Sequence, residues 1–576
     1  VLGQAGIKGL YVEKDRMTTA RKLRPLALVP LLIVAALLPA TPAQAASVTT
    51  TYFVPTVGGN TIQVEVTRNT NFDAAKQPVI LKYSPYTVLN GYSTGSSYPA
   101  KGIAYAVADV LGTRGSTGCW DYGGLDEQQS GVDVVKFLAG HKADVDGNTI
   151  SWSNGNVGMT GTSYDGTTAN MVAATGIPEL KAIMPVASIN HWYGYAYYDG
   201  VRYAGNSKVA SDEGADTPLL FDYALNRTIN EDDPAMIQER VGQADCEQES
   251  LDHTQHGYSR SPDYTEFWKE RDYIKDVSKF RAAVMVVHGW QDYNVKQDEG
   301  LSLFEALPVD DPLTTDVVEG VPFKMMVLSQ SPHAGAPSTF NSLYDRFWNQ
   351  TLKGQDTDVE LEPQVQTLGR TSAGAAPVYT AETQWPPVGT KEVPLYLGRS
   401  FDCVSGVPCV GPVGSTGENG IISQSKQNSG GGWTYLSNGM ATEEATLEDP
   451  TNRVVTTQNG QPVRGHGYIS LFHESPPLAQ DTRIAGRAIL DAYVSVDTPG
   501  QTMTPLLVEV QSNGNLVLVE RGFLNLDYVD GLAQAKPTPL ADLHAKVTFL
   551  PQDYTFKQGS RIGVILQGSN TVWAVP

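Results

Sequence analysis

From Thr49 to Pro55 and again from Thr61 to Arg68, apolar and polar side chains alternate around Gly58-Gly59-Asn60, the pattern of a β-hairpin. The pattern then changes. Pro78–Tyr83 and Ile103–Val110 are unbroken apolar runs bounded by turn residues, which suits central strands. Gln128–Leu138 places Val132, Val135 and Leu138 at helical spacing. A short buried strand leads into Gly158-Met159-Thr160-Gly161-Thr162-Ser163-Tyr164-Asp165-Gly166, with a helix expected over Thr167–Gly176 and a strand over Lys181–Ala187. Two more strands, Ala283–His288 and Lys324–Ser329, each precede a helical stretch, the second being the aromatic-rich Ser338–Leu352. Strands alternating with helices predict a parallel sheet covered on both faces.

Between Ile189 and about Lys279 the alternation stops. Tyr, Trp, Asp and Glu dominate there, with helical stretches at Asp222–Ile229 and Pro234–Val241, as expected of a cap inserted over the active end of the sheet. Beyond Val359 the runs are short and β-rich: Val393–Leu397, Ala485–Val496, Leu506–Val510, Leu516–Arg521, Lys546–Leu550 and Arg561–Leu566. Gly, Pro, Asn and Ser separate them, which reads as an all-β sandwich or jelly roll. A Gly/Ala/Ser/Thr-rich linker near Gly369–Pro377 sets the expected division: a catalytic domain over 46–370, with its cap at about 190–279, and a β-domain over 371–576.

The 576 residues exceed one compact core, in line with that division. A formal charge of −21 argues against nucleic acid or anionic membranes as partners, since both need basic patches. Residues 1–45 are different, with six basic and two acidic side chains. After Met17 come Arg21, Lys22 and Arg24, an apolar run Leu26–Leu38, and Ala43-Gln44-Ala45, the parts of a secretory signal peptide. The run is too short to span a bilayer as a mature helix, so the expected product is exported, with no membrane association after signal removal. Four cysteines suit an oxidising compartment. Cys403 and Cys409 would close a local loop, and by parity Cys119 would pair with Cys246. None has C-x-x-C spacing, so no metal site is expected among them.

The stretch ending at Gly166 carries the chemistry. A serine at a strand-to-helix turn raises its hydroxyl above the sheet edge, beside the N–H groups of the next helix. It needs a base and an orienting acid. Asp292 follows Ala283–His288 through Gly289-Trp290-Gln291, and His333 follows Lys324–Ser329 through Gln330-Ser331-Pro332. Ser163, Asp292 and His333 therefore fall where strands end, in the chain order serine, acid, histidine used by sheet hydrolases. One departure stands out: the general elbow is G-x-S-x-G, but here Asp165 holds the last position and glycine follows only at Gly166.

Gly161-Thr162-Ser163-Tyr164-Asp165-Gly166 resembles the G-x-S-Y-x-G signature of the Xaa-Pro dipeptidyl-peptidase and cocaine esterase family of serine hydrolases. Ser84-Pro85-Tyr86, Asp109-Val110-Leu111-Gly112-Thr113-Arg114-Gly115-Ser116-Thr117-Gly118, His288-Gly289-Trp290-Gln291-Asp292-Tyr293-Asn294-Val295 and Arg346-Phe347-Trp348-Asn349-Gln350-Thr351-Leu352-Lys353-Gly354 are similar too. The resemblance implies an α/β-hydrolase core, an inserted helical cap and a C-terminal jelly roll of galactose-binding-like form. It also implies a Ser163/Asp292/His333 triad working without metal or organic cofactor. Its oxyanion hole would join the Tyr86 hydroxyl to the backbone N–H of Tyr164.

Gln291–Lys296 and Ile189-Asn190-His191-Trp192-Tyr193-Gly194-Tyr195 look more like the peptidase branch, with Asn294 binding substrate and Trp192 walling a proline pocket. A counter of two residues from a free N-terminus needs an anion for the ammonium; Asp199, Asp212, Glu213 and Glu231 stand in the cap. The leading expectation is a secreted exopeptidase acting on proline-containing peptides. An esterase or acylase acting on small esters or amides is the alternative, and a silent protein whose β-sandwich binds carbohydrate is a third. A homo-oligomer is left open. Asp144-Val145-Asp146-Gly147-Asn148 reads as a turn, its glycine being misplaced for a calcium loop, and His253 and His256 as surface histidines.

Overall fold

Each apolar run read as a strand between Pro78 and Ser329 becomes a strand of one sheet. The structure, a computed structural model, describes residues 47–86, 97–203, 246, 262–308, 323–371, 376–399, 420–426, 470–539, 541–568 and 570. The hairpin is β1 (Ser47–Pro55) with β2 (Thr61–Asn69), paired antiparallel from Ser47↔Asn69 to Pro55↔Thr61. Then come β3 (Gln77–Ser84), β4 (Ala104–Asp109), α1 (Leu125–Leu138), β5 (Ser153–Thr162), α2 (Tyr164–Ala173) and β6 (Leu180–Val186). The described part of the cap holds α3 (Trp192–Ala196), the two-residue strands β7 (Tyr197–Tyr198) and β8 (Val201–Arg202), and α4 (Glu266–Glu270). The core resumes with β9 (Ala283–Gly289), α5 (Gln297–Ala306), β10 (Lys324–Ser329), α6 (Asn341–Lys353) and β11 (Val365–Thr371).

The strand order is β1-β2-β4-β3-β5-β6-β9-β10-β11, parallel from β4 onward. Both faces are buried, which is why these strands read as continuous apolar runs. Val79, Leu81, Val284 and Val286 join the core under α1 and α2, whereas Ile80, Met285 and Val287 join the one under Phe347, Trp348 and Leu352 of α6. A strand's two-residue period sends alternate side chains to opposite helix layers. This is the α/β-hydrolase architecture that the motifs implied.

The second half is all-β, with no α-helix among its described residues. Its strands are β12 (Val378–Glu382), β13 (Tyr396–Arg399), β14 (Gly420–Ser423), β15 (Ser470–Glu474), β16 (Thr482–Gly486), β17 (Ile489–Val494), β18 (Thr502–Met503), β19 (Leu506–Val510), β20 (Leu516–Arg521), β21 (Leu524–Asn525), β22 (Leu543–Thr548), β23 (Gln552–Phe556) and β24 (Arg561–Gln567). Six form the sheet β13-β14-β15-β24-β19-β20. β12 pairs with β11.

Three expectations need correcting. The helix after Ser163 begins at Tyr164, not Thr167, because Ser163 itself takes the cap position and its carbonyl accepts the N–H of Gly166 and Thr167, each at 2.9 Å. Ala485–Val496 is two strands, β16 and β17. The chain breaks at Gly486 (φ 122°), and Arg487 turns to ion-pair with Asp298 and Glu305 of α5. The segment read as a linker from Gly369 is strand as far as Thr371. Arg370 and Thr371 pair in parallel with Tyr554 and Thr555 of β23, so the first-half sheet continues into second-half strands β23 and β16.

Cys119 is bonded to Cys246, with Cα atoms 5.3 Å apart. The Asp144 stretch is a turn: Asp144 Oδ1 accepts the N–H of Asp146 at 3.0 Å and of Asn148 at 2.8 Å. No helix among the described residues is long and apolar enough to cross a membrane. The expected signal peptide, the helices Asp222–Ile229 and Pro234–Val241, the Cys403–Cys409 pair, His253 and His256, and Asp212, Glu213 and Glu231 lie outside the described residues.

Candidate active site

β5, β9 and β10, with β6 between the first two, run parallel and end at one edge of the sheet, with Ser163, Asp292 and His333 in the segments that follow. Ser163 sits at φ 65° and ψ −128°, a conformation that costs a non-glycine residue and is held by its surroundings. Its N–H donates to Val186 O of β6 at 2.9 Å. The turn is too tight for side chains at two places. A Cβ on Gly161 would lie 2.3 Å from Asp165 Cβ, and one on Gly166 would lie 2.7 Å from Gly161 O. The glycines this elbow needs are thus at 161 and 166, which accounts for the unusual spacing.

Asp292 is fully buried. Its Oδ1 accepts the N–H groups of Asn294 (3.1 Å) and Val295 (3.0 Å), and its Oδ2 meets His333 Nδ1 at 2.8 Å. His333 is a quarter exposed, and the loop beyond it passes Thr162: a Cβ on Gly335 would lie 3.8 Å from Thr162 Oγ1. A second histidine, His288, also approaches Asp292, with Nε2 3.6 Å from Oδ2. It is buried in the strand end and donates from Nε2 to Val295 O at 2.9 Å, and burial pushes its pKa down despite the Asp292 charge. His288 therefore supports the acid loop from below.

The Tyr86 hydroxyl lies beside the Ser163 side chain and the Tyr164 N–H, both of which pull its pKa down. Burial, and then the nearby Asp165 charge, hold this phenol well above its ordinary pKa, so it remains a proton donor. Asp165 now has a role. Its Oδ2 pairs with Lys82 of β3 at 2.8 Å, and Ser84, close enough to pull the Asp165 pKa down, accepts the Tyr86 N–H on its hydroxyl oxygen at 3.0 Å. The residue in the unexpected position ties the elbow to the end of β3, where Tyr86 is carried.

Aromatic rings surround this centre. The Tyr164 ring lies 5.1 Å from that of Trp192 and 5.6 Å from that of Trp120, and Trp192 lies 6.0 Å from Tyr195. Trp192 Nε1 donates to the Tyr273 hydroxyl at 3.0 Å, which donates to Gly123 O at 2.7 Å. Beneath them Glu127 is wholly buried. It accepts from the Tyr164 hydroxyl at 2.9 Å and from Gly123 N–H at 2.9 Å, while Trp120 Nε1 donates to the same hydroxyl. Burial pushes Glu127 up to about 8, against the opposing pull of the Gly123 N–H.

That shift has a measurable sign. Between the ordinary carboxyl range and about pH 8 the folded chain holds a proton that the unfolded chain has released. Glu127 therefore favours the fold at low pH, and its contribution falls as pH rises through about 8. Each pH unit over which one extra proton is held is worth about 1.4 kcal/mol at most. Glu127→Gln, which mimics the protonated acid, is expected to lose less stability than wild type between pH 5 and pH 9. Urea unfolding midpoints at the two pH values check it, because other titrating groups contribute equally to both proteins. Parallel losses would contradict the assignment.

All seven predicted site residues gather here. Asn294 Oδ1 accepts from the Tyr195 hydroxyl at 3.3 Å. Asp199 stands near Asp298 and is pushed up to about 6 by burial, and its carbonyl accepts the Asn525 N–H. The sequence reading missed Tyr195, whose phenol feels both Tyr86 and Asp292. It also missed Lys296, buried with Nζ 3.1 Å from Tyr195 O and over the Tyr203 ring, and held down to about 7 by burial. His191 was missed as well. Against burial, which lowers it, Glu299 raises it to about 9 across a 3.1 Å contact. The one signal for these three was their place in motifs quoted for other residues.

Residues 58–335 match the family model described as X-Pro dipeptidyl-peptidase (S15 family), and residues 357–576 match that of the X-Pro dipeptidyl-peptidase C-terminal non-catalytic domain. A Bacillus anthracis chain assigned to the Xaa-Pro dipeptidyl-peptidases is 27% identical over 494 residues, covering 84% of this chain and 72% of that one. The Xaa-Pro dipeptidyl-peptidase of Lactiplantibacillus plantarum is 31% identical over 293 residues, 49% of this chain and 34% of that relative. Among solved structures, a CocE/NonD family hydrolase from Staphylococcus aureus superposes with a TM-score of 0.63 at 16% identity, covering 91% of this chain and 88% of that one. An α-amino acid ester hydrolase gives 0.62 at 16% identity, covering 93% and 94%. At that identity the two structures speak for the fold.

Proposed function

Since the chain belongs to the Xaa-Pro dipeptidyl-peptidase and cocaine esterase family of serine hydrolases, we propose that it is an exported exopeptidase releasing Xaa-Pro dipeptides from peptide N-termini through an acyl-enzyme on Ser163. The observation that carries the mechanism is the 2.8 Å contact between Asp292 and His333 at the sheet edge that also bears Ser163, with the Tyr86 hydroxyl beside the Ser163 side chain and the Tyr164 N–H. His333 Nδ1 is engaged by Asp292, so Nε2 is the nitrogen available to take the Ser163 proton. The serine oxygen bonds to the substrate carbonyl carbon, and the oxyanion lies between Tyr86 and Tyr164 N–H. His333 passes its proton to the leaving amine as the C–N bond breaks, and water repeats the sequence to free the acid.

Proline specificity is supported by the aromatic enclosure. Trp192, 2% exposed, packs against the Tyr164 and Tyr195 rings, and a flat apolar cluster of this kind would suit a pyrrolidine ring. Asn294, steered by Tyr195, presents an amide beside the acid loop. Export is supported by the signal-like segment and by the Cys119–Cys246 disulfide, which suits an oxidising compartment.

Ala-Pro-, Gly-Pro- and Ala-Ala-anilides assayed beside p-nitrophenyl esters test this reading. Strong preference for proline supports it, whereas ester-only turnover moves the chain to an esterase or acylase role, which the same triad would serve. An acetylated Ala-Pro-anilide cleaved as fast as the free amine would exclude the exopeptidase register. Tyr86→Phe is expected to lower kcat by about 10²–10³-fold with little change in KM, since the phenol is asked to bind charge that exists only in the transition state. Steady-state kinetics check this, and an unchanged kcat would remove Tyr86 from the oxyanion hole.

A further inference from the structure

The loops bearing Asp292 and His333 are laced together. Trp290 N–H donates to Ser329 O at 2.8 Å, Gln291 N–H to Ser331 O at 3.2 Å, and Gln291 Nε2 to Gln330 Oε1 at 3.1 Å. β11 grips both loops from the C-terminal side. Thr367 Oγ1 accepts Trp290 Nε1 at 2.9 Å, Leu368 O accepts Gln330 Nε2 at 2.6 Å, and Arg370 Nη1 donates to Gln291 Oε1 at 3.0 Å. One short strand thus holds the residue before Asp292, the residue before that, and the residue three before His333.

β11 is itself backed by the β-domain. The Arg370 guanidinium lies 5.0 Å over the Tyr554 ring and donates from Nη2 to Leu518 O, and the Thr367 hydroxyl donates to Asp553 Oδ2 at 3.2 Å. Arg370 and Gln291 are both nearly inaccessible to water, so the charged hydrogen bond between them has little solvent to compete with it. Every residue on this side of the contact lies within 357–576, the stretch whose family description is non-catalytic.

We propose that Arg370 is a positioning residue for the Asp292–His333 pair, acting through Gln291 and, by way of Gln291, Gln330. The inference rests on the triad reading above. A general acid–base pair must be placed to within a fraction of an ångström, and a shift of about 1 Å can cost about 10²-fold in rate. The β-domain thereby sets the geometry of a site to which it contributes no reacting atom.

Arg370→Met, Gln291→Met, the double variant and Arg370→Lys test it on Ala-Pro-anilide. Rates are taken per active serine, after labelling to completion with a fluorophosphonate so that unfolded protein is not counted. Each single Met variant is expected to lower kcat about 10–100-fold with KM changed less than about 2-fold, because the loss lies in alignment rather than binding. The double variant should be no slower than the slower single, as for two partners in one contact. Arg370→Lys, which keeps a cationic donor, should recover part of the loss. Unchanged kcat per active serine in both Met variants, or losses that multiply in the double, would overturn the proposal. Should Arg370→Met not fold, Gln291→Met decides alone, since it leaves Arg370 in place. Full activity in Ser163→Ala would instead sink the triad reading, an outcome distinct from an active Arg370→Met beside an inactive Ser163→Ala.

Discussion

Ser163→Ala is expected to lower kcat on Ala-Pro-anilide by about 10⁶-fold, the scale on which removing a serine nucleophile from a complete triad acts. The residual rate should still exceed that in water, because Tyr86 and the Tyr164 N–H remain to polarise the carbonyl. Stability should change little. Alanine is smaller than serine, and the bonds that hold the elbow run through the backbone: Ser163 N–H to Val186 O, and Ser163 O to the N–H of Gly166 and Thr167. The strained φ of 65° is retained with alanine and gives no relief. Single-turnover kinetics together with a thermal melt check both halves. A fast variant with a normal melt would mean that the raised hydroxyl is not the nucleophile.

The sheet was legible because burial on both faces leaves a simple trace, an apolar run with turns at each end. The triad was legible because chain order and strand ends together restrict where Ser163, Asp292 and His333 can sit. What escaped was non-local. Ala485–Val496 looks like one strand, since nothing within it reveals that Arg487 is drawn to Asp298 and Glu305 about two hundred residues away. Gly369–Thr371 has a linker's composition but pairs with β10 and β12 through its strand and with β23 at its end, and such pairing depends on partners rather than on propensity. Asp165 looks like a flaw in a motif when read along the chain, yet in space it is the partner of Lys82 at the end of β3. Tyr195, Lys296 and Arg370 carry no spacing signal at all. They matter through what lies beside them in space.

Asp292→Asn is expected to lower kcat by about 10⁴-fold while leaving the fold and KM nearly intact. The direction follows from which oxygen has which partner. Oδ1 faces two backbone donors, the N–H groups of Asn294 and Val295, and neither can become an acceptor. An asparagine must therefore keep its oxygen there and place its NH₂ where Oδ2 was, 2.8 Å from His333 Nδ1. His288, 3.6 Å from Oδ2 and already donating to Val295 O, is too distant to reverse that choice. The imidazole can yield, because it can move its proton. It would then accept at Nδ1 and carry hydrogen at Nε2, the tautomer that cannot take a proton from Ser163. Asp292→Ala leaves both backbone donors without their acceptor and should be less stable than the Asn variant, though His333 would be freer to choose its tautomer. Comparing kcat and melting midpoints of the two separates an orienting acid from a merely structural one. Asparagine should cost rate more than stability, and alanine should cost both. An Asn variant within about tenfold of wild type would mean that Asp292 does not set the proton on His333.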